Sequence, residues 1–118
     1  MEDKYYTGNY ASKVKQLLNK LKYDQIIFSK HFRERAERRQ IKLADIASNL
    51  ENPKNLFLAQ KRVISRQNEE SYKCYFYMSG QQTHIYGIVF NYTKRFIKIA
   101  TVIKSRPRLQ RRLSYEKN

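Results

Sequence analysis

Leu43-Ala-Asp-Ile46-Ala47-Ser-Asn-Leu50-Glu-Asn52-Pro53-Lys-Asn-Leu56-Phe-Leu-Ala-Gln60 contains the change of period that decides the fold. Up to Leu50, the apolar residues Leu43, Ile46, Ala47 and Leu50 share one face of a helix. Asn52-Pro53 stops that helix, because proline lacks an amide hydrogen and pushes the residue before it into extended backbone. From Leu56 the apolar period changes to two, as on a pleated strand with one face buried. The spacing therefore predicts a helix over 41–50 and a strand over 56–66.

Toward the N-terminus, Val14, Leu17, Leu18 and Leu21 predict a helix over 11–23, with lysines on its other faces and Ser12 as its N-cap. Gln25-Ile-Ile-Phe28 reads as a strand or as the lead-in to the next helix. Ser29 then caps a helix from Lys30 to Arg39. Toward the C-terminus, strands are expected over 72–79, 84–92 and 95–103, joined by the short polar links 67–70, 80–83 and 92–95. Short links between strands imply an antiparallel meander. Helices followed by strands give an α+β domain, with N-terminal helices packed on one face of a curved antiparallel sheet of about four strands. Residues 1–104 are read as that single domain. Residues 105–118 are read as a basic tail whose Arg106, Arg108, Arg111 and Arg112 would contact nucleic acid.

Lysine and arginine number 25 against 10 acidic residues, a formal charge of +15. Self-repulsion of that size opposes compaction and points to a polyanionic partner: nucleic acid first, then an anionic membrane surface or an acidic protein. No apolar run approaches the roughly 20 residues that cross a bilayer, and Met1-Glu-Asp-Lys lacks the order of a secretory leader. A cytoplasmic protein without a membrane partner is expected. The single cysteine, Cys74, allows no internal disulfide and reads as an inert buried thiol. Two histidines without an acidic cluster make no metal site, and with three glycines no phosphate-cradling loop is present. No cofactor is expected.

His31, Arg35 and Arg39 fall at i, i+4 and i+8, one stripe of the second helix. An imidazole moves protons near neutral pH, and guanidiniums grip phosphate oxygens in pairs. The plainer alternatives are a helix-start hydrogen bond for His31, an ion pair with Asp45 or Glu51 for Arg35, and a structural contact for Arg39.

Ser29-Lys-His31-Phe-Arg-Glu-Arg35-Ala-Glu-Arg-Arg39-Gln-Ile41, followed by Leu43-Ala-Asp-Ile-Ala and Glu51-Asn-Pro53, resembles the family known as domain of unknown function 4258. The resemblance covers residues 26 to 104 and closes on Thr101-Val102. It implies a RelE-like fold and, as in many of that superfamily, a metal-independent ribonuclease toxin held by an antitoxin. Phe32 and Ala36 replace the family's usual alanine and methionine. Gln40 stands where the family has glycine, at a helix end whose positive φ costs another residue about 1 kcal/mol. The helix is therefore expected to end differently.

What the resemblance implies is RNA cleavage by attack of the 2′-hydroxyl on its own phosphate. His31 would serve as acid or base, Arg35 would stabilise the phosphorane, and Thr101 would bond a phosphate oxygen. RNA (ribosome-bound mRNA among the candidates), an acidic antitoxin and a second copy of the chain are the expected partners. Alternation puts Lys98 and Thr101 on opposite faces unless a bulge intervenes. Lys73, Tyr75 and Tyr77 share a face, so the two tyrosines are expected exposed, where they could stack on unpaired bases; their plainer role is to fill a small core. With Arg39 and Lys98 they complete the expected nucleic-acid contacts. His84 reads as incidental at a strand edge. A non-catalytic nucleic-acid-binding protein and an inactive interaction module are the rival functions.

Overall fold

The computed structural model describes residues 6–20, 26–63, 68–78, 82–94 and 96–105. The chain runs β1 (Tyr6–Thr7), α1 (Ala11–Lys20), β2 (Ile26–Phe28), α2 (Lys30–Arg38), α3 (Leu43–Glu51), a short 3-10 turn (Pro53–Asn55), β3 (Leu56–Arg62), β4 (Glu69–Met78), β5 (Gln82–Asn91) and β6 (Phe96–Ser105). The strands form one sheet in the order β1-β3-β4-β5-β6-β2.

The four expected strands are present as the meander β3 to β6, each antiparallel to the next. The count of about four is corrected to six among the described residues. β1 pairs antiparallel with β3, and β2 lies parallel to β6, with Ile26, Ile27 and Phe28 opposite Ile97, Lys98 and Ile99. Both added strands are too short to show a period; their pairing partners, far along the chain, make them strands. β4 also starts earlier than expected, because Glu69 and Glu70 pair with Asn91 and Phe90. The tail residues Arg106, Arg108, Arg111 and Arg112 lie outside the described residues.

The helices pack on one face of the sheet. Val14 and Leu18 of α1, Phe32 and Ala36 of α2, and Ile46 and Leu50 of α3 join Ala59, Cys74, Phe76, Ile88, Ile99 and Val102 in one buried cluster. Burial pushes the Cys74 thiol well above its ordinary range, in keeping with an inert side chain. On the sheet's other face, Phe57, Tyr75 and Ile85 form a smaller apolar cluster.

Local chemistry accounts for the helix ends. The Ser29 hydroxyl accepts from the Phe32 amide at 3.1 Å, capping α2 as its sequence predicts. α1 starts differently: Asn9 Oδ1 accepts from the Ala11 amide at 3.1 Å, and Ser12 already lies in the first turn. At the other end of α2, Gln40 takes a φ of 56°. Its amide donates to Glu37 at 3.0 Å, and the Ile41 amide donates to Ala36 at 2.9 Å. This is the paired closure glycine usually permits, with buried Ile41 beside buried Ala36. The expectation that α2 would end differently is therefore corrected: the apolar contact and the two hydrogen bonds hold Gln40 in the left-handed region.

Two bulges set which residues face which side. Between Leu56 and Leu58 the register of β3 shifts, turning Phe57 and Leu58 toward the smaller cluster. In β6, Thr101 sits opposite Gly87 but Ile99 sits opposite Ile88, so Ala100 is the extra residue.

Candidate functional site

α2 carries the stripe found in the sequence. His31 is exposed near its start, Arg35 is half-buried one turn on, and Arg39 is exposed at its end. The buried residues Phe32 and Ala36 seat the helix over β6, and the Phe28 ring stacks on Phe32 at 5.5 Å between centroids. That packing turns the stripe away from the apolar interior.

The Ser29 hydroxyl caps the helix, so His31 is not needed there and makes no side-chain hydrogen bond among the described residues. Arg35 has no hydrogen bond or ion pair among them either, so the alternative of a bridge to Asp45 or Glu51 is not what holds it. The ion pairs among the described residues converge instead on Glu70, from Lys61 at 2.8 Å and Lys13 at 3.3 Å. Arg39 differs from its stripe-mates: its guanidinium donates to the carbonyl of Val102 on β6.

Thr101 does not join this group. Val102 points into the cluster beneath the helices, whereas Thr101 pairs with Gly87 on the opposite face. The sheet thus separates Thr101 from His31 and Arg35, so the expected catalytic trio does not gather at one site. The bulge at Ala100 also overturns the expected separation of Lys98 and Thr101. Lys98 pairs with Val89 and Thr101 with Gly87, two residues apart on β5, so both face away from the helices, and both are exposed. Gly87 leaves the space that Thr101 fills: a Cβ there would stand 2.5 Å from the Thr101 hydroxyl oxygen.

The tyrosine expectation is half corrected. Tyr75 is buried, at 5 % exposure, and its hydroxyl bonds Gln60 at 3.0 Å. Tyr77 is half-buried with its ring stacked on Phe57 at 4.0 Å. The outward bulge at Phe57 supplies the partner that an alternating pattern does not reveal. Lys73 is half-buried, its ammonium 5.9 Å from the rings of both Tyr6 and Tyr75.

Two polar clusters escaped the sequence. The Glu70 carboxylate accepts from Lys61, from Lys13 and from the hydroxyls of Tyr72 and Tyr92, tying α1 to β3, β4 and the β5–β6 turn. Burial alone would raise this carboxyl, but the Lys61 ammonium, then Tyr92, Lys13 and Tyr72, hold it down at about 2. The signal available is Glu70 at the start of a strand, within the run 67–70 that the sequence presents as a polar link. The second cluster is His84, buried against Tyr86 and Asn49 rather than incidental at an edge. Among the described residues no three metal-ligating side chains gather. No helix among them is long and apolar enough to cross a membrane.

The model of the MJ0788 family matches residues 12–89, about two thirds of the chain, and the protein belongs to that family. The matched span contains α2 with its stripe, Glu70 and the His84 cluster. No curated protein and no solved structure matches the chain.

Proposed function

We propose that the protein binds RNA through its cationic surface, with His31 and Arg35 of the α2 stripe contacting the phosphate backbone. The observation that carries this reading is Arg35: a half-buried arginine with no hydrogen bond or ion pair among the described residues, one turn from exposed His31. A guanidinium left unpaired among the described residues is suited to a phosphate oxygen. The +15 charge supplies long-range attraction to a polyanion.

A second reading is favoured by His31. Its accessible imidazole beside Arg35 is the minimum equipment for metal-independent cleavage by 2′-hydroxyl attack, the activity expected of a RelE-like toxin. Helices packed on one face of a meander support that likeness of fold. An acidic antitoxin remains the partner suited to such a surface.

One experiment separates the readings. Labelled single-stranded RNA is incubated with the protein in EDTA, with binding followed by anisotropy and product ends by mass spectrometry. Salt-sensitive binding with intact RNA supports the binding role alone. Termini carrying 2′,3′-cyclic phosphate, abolished by His31→Ala, support cleavage. Absence of binding at low salt rejects both.

A further inference from the structure

Where α3 meets β5, three buried polar side chains come together. His84 and Asn49 are 5 % and 7 % exposed and Tyr86 is sealed. Asn49 Nδ2 donates to the Tyr86 hydroxyl oxygen at 2.9 Å and lies 3.3 Å from Met78 Sδ. The same Tyr86 oxygen is 2.9 Å from His84 Nδ1.

The donor inventory fixes the direction of this chain. An amide nitrogen only donates, so the Tyr86 oxygen accepts from Asn49. Among the described residues the hydroxyl has one remaining partner, His84 Nδ1, so its own proton points there. Nδ1 is then the acceptor, and the neutral ring carries its proton on Nε2.

We infer that Asn49, Tyr86 and His84 form a proton-sensitive latch that fastens α3 to β5 and releases it when His84 becomes an imidazolium. An imidazolium carries a proton on each nitrogen and cannot accept from Tyr86. The Tyr86 oxygen would then face two donors, and its own proton would lose its one acceptor among the described residues.

The groups around the ring set the balance. Asp45, in the first turn of α3, favours the added proton, and Lys104, opposite His84 on β6, opposes it. β4 contributes apolar Phe76, paired with His84, and Met78. Burial is the largest influence and holds the imidazole below its ordinary value of 6.5. Opening α3 gives the ring back to water. The opening equilibrium should therefore rise as the pH falls below 6.5, by at most about tenfold per unit for one proton, until the buried ring itself titrates.

The test is hydrogen exchange of the full chain between pH 7.5 and 5, corrected for intrinsic exchange. In the parent, protection of residues 43–51 should fall as the pH drops below 6.5, by up to about tenfold per unit, while residues 11–20 hold theirs. His84→Gln keeps an acceptor for Tyr86 but cannot titrate, so its α3 protection should stay flat. The same pH dependence in that variant, or joint loss of protection in α1 and α3, would overturn the latch. If the variant does not fold, ring-nitrogen NMR on the parent decides. A proton on Nε2 at neutral pH with a midpoint below 6.5 supports the latch. A proton on Nδ1, or a midpoint at or above that value, rejects it.

Discussion

The guanidinium of Arg39 donates to the carbonyl of Val102, 63 residues further along the chain. β2 pairs with β6 only as far as Ile99, so this bond falls beyond the last β2 partner and ties the end of α2 to the strand it covers. Arg39→Ala should lower stability by about 1 kcal/mol, the usual net worth of such a hydrogen bond. It should shift the urea midpoint while leaving RNA affinity within about twofold, the loss of one exposed cation among many. A large loss of affinity at unchanged stability would instead make Arg39 an RNA contact.

Gln40 tests the closure of α2 from the other side. Its φ of 56° suits glycine, and the two closing hydrogen bonds use only backbone. Gln40→Gly should stabilise the fold by about 1 kcal/mol, read from the thermal or urea midpoint. Destabilisation would mean that the Gln40 side chain holds a contact worth more than the backbone strain.

At the β6 bulge, Gly87→Ala should destabilise by about 1–3 kcal/mol, because the new methyl would stand 2.5 Å from the Thr101 hydroxyl oxygen. Thr101→Ala in the same chain should restore most of that loss, since the contact is with the hydroxyl. A double-mutant cycle measures this coupling directly. Thr101→Ala alone should leave RNA binding and any cleavage unchanged, because the sheet stands between Thr101 and the α2 stripe.

Glu70 sets an acid limit on stability. Its carboxyl is held at about 2 in the fold, against 4.5 in an unfolded chain. The unfolded state therefore binds more protons between those values. The stability Glu70 confers is complete above 4.5 and is lost as the pH falls toward 2. Glu70→Gln should flatten the stability profile in that interval, leaving the separate His84 contribution, which begins to fail below 6.5. An equally steep loss in the variant would assign the acid limit to other carboxylates.

The sequence disclosed what local pattern and capping control. Ser29 marked the start of α2, Asn52-Pro53 the end of α3, and alternation the four meander strands, because each depends on neighbours a few residues away. What it hid depends on distant partners. β1 and β2 are strands only because β3 and β6 lie beside them. A bulge adds one residue without any signature at Ala100, yet it brings Lys98 and Thr101 to one face and moves Thr101 away from His31. Tyr75 looked like an exposed base-stacking residue until the bulge at Phe57 supplied the ring that covers it. His84 looked incidental because nothing in the residues around it reveals Asn49, 35 positions earlier, reaching the same hydroxyl through Tyr86. The α2 stripe itself was legible, since helical spacing alone aligns it.

The most direct measurement is the salt dependence of RNA binding by the parent and by Arg35→Ala, at matched folded fraction. If the Arg35 guanidinium grips phosphate, the variant should bind about three- to tenfold more weakly, and the slope of log K against log salt should shrink by about 0.7. Parent and variant lines that superimpose would remove Arg35 from the interface and contradict the assignment of α2 as the RNA-contacting surface.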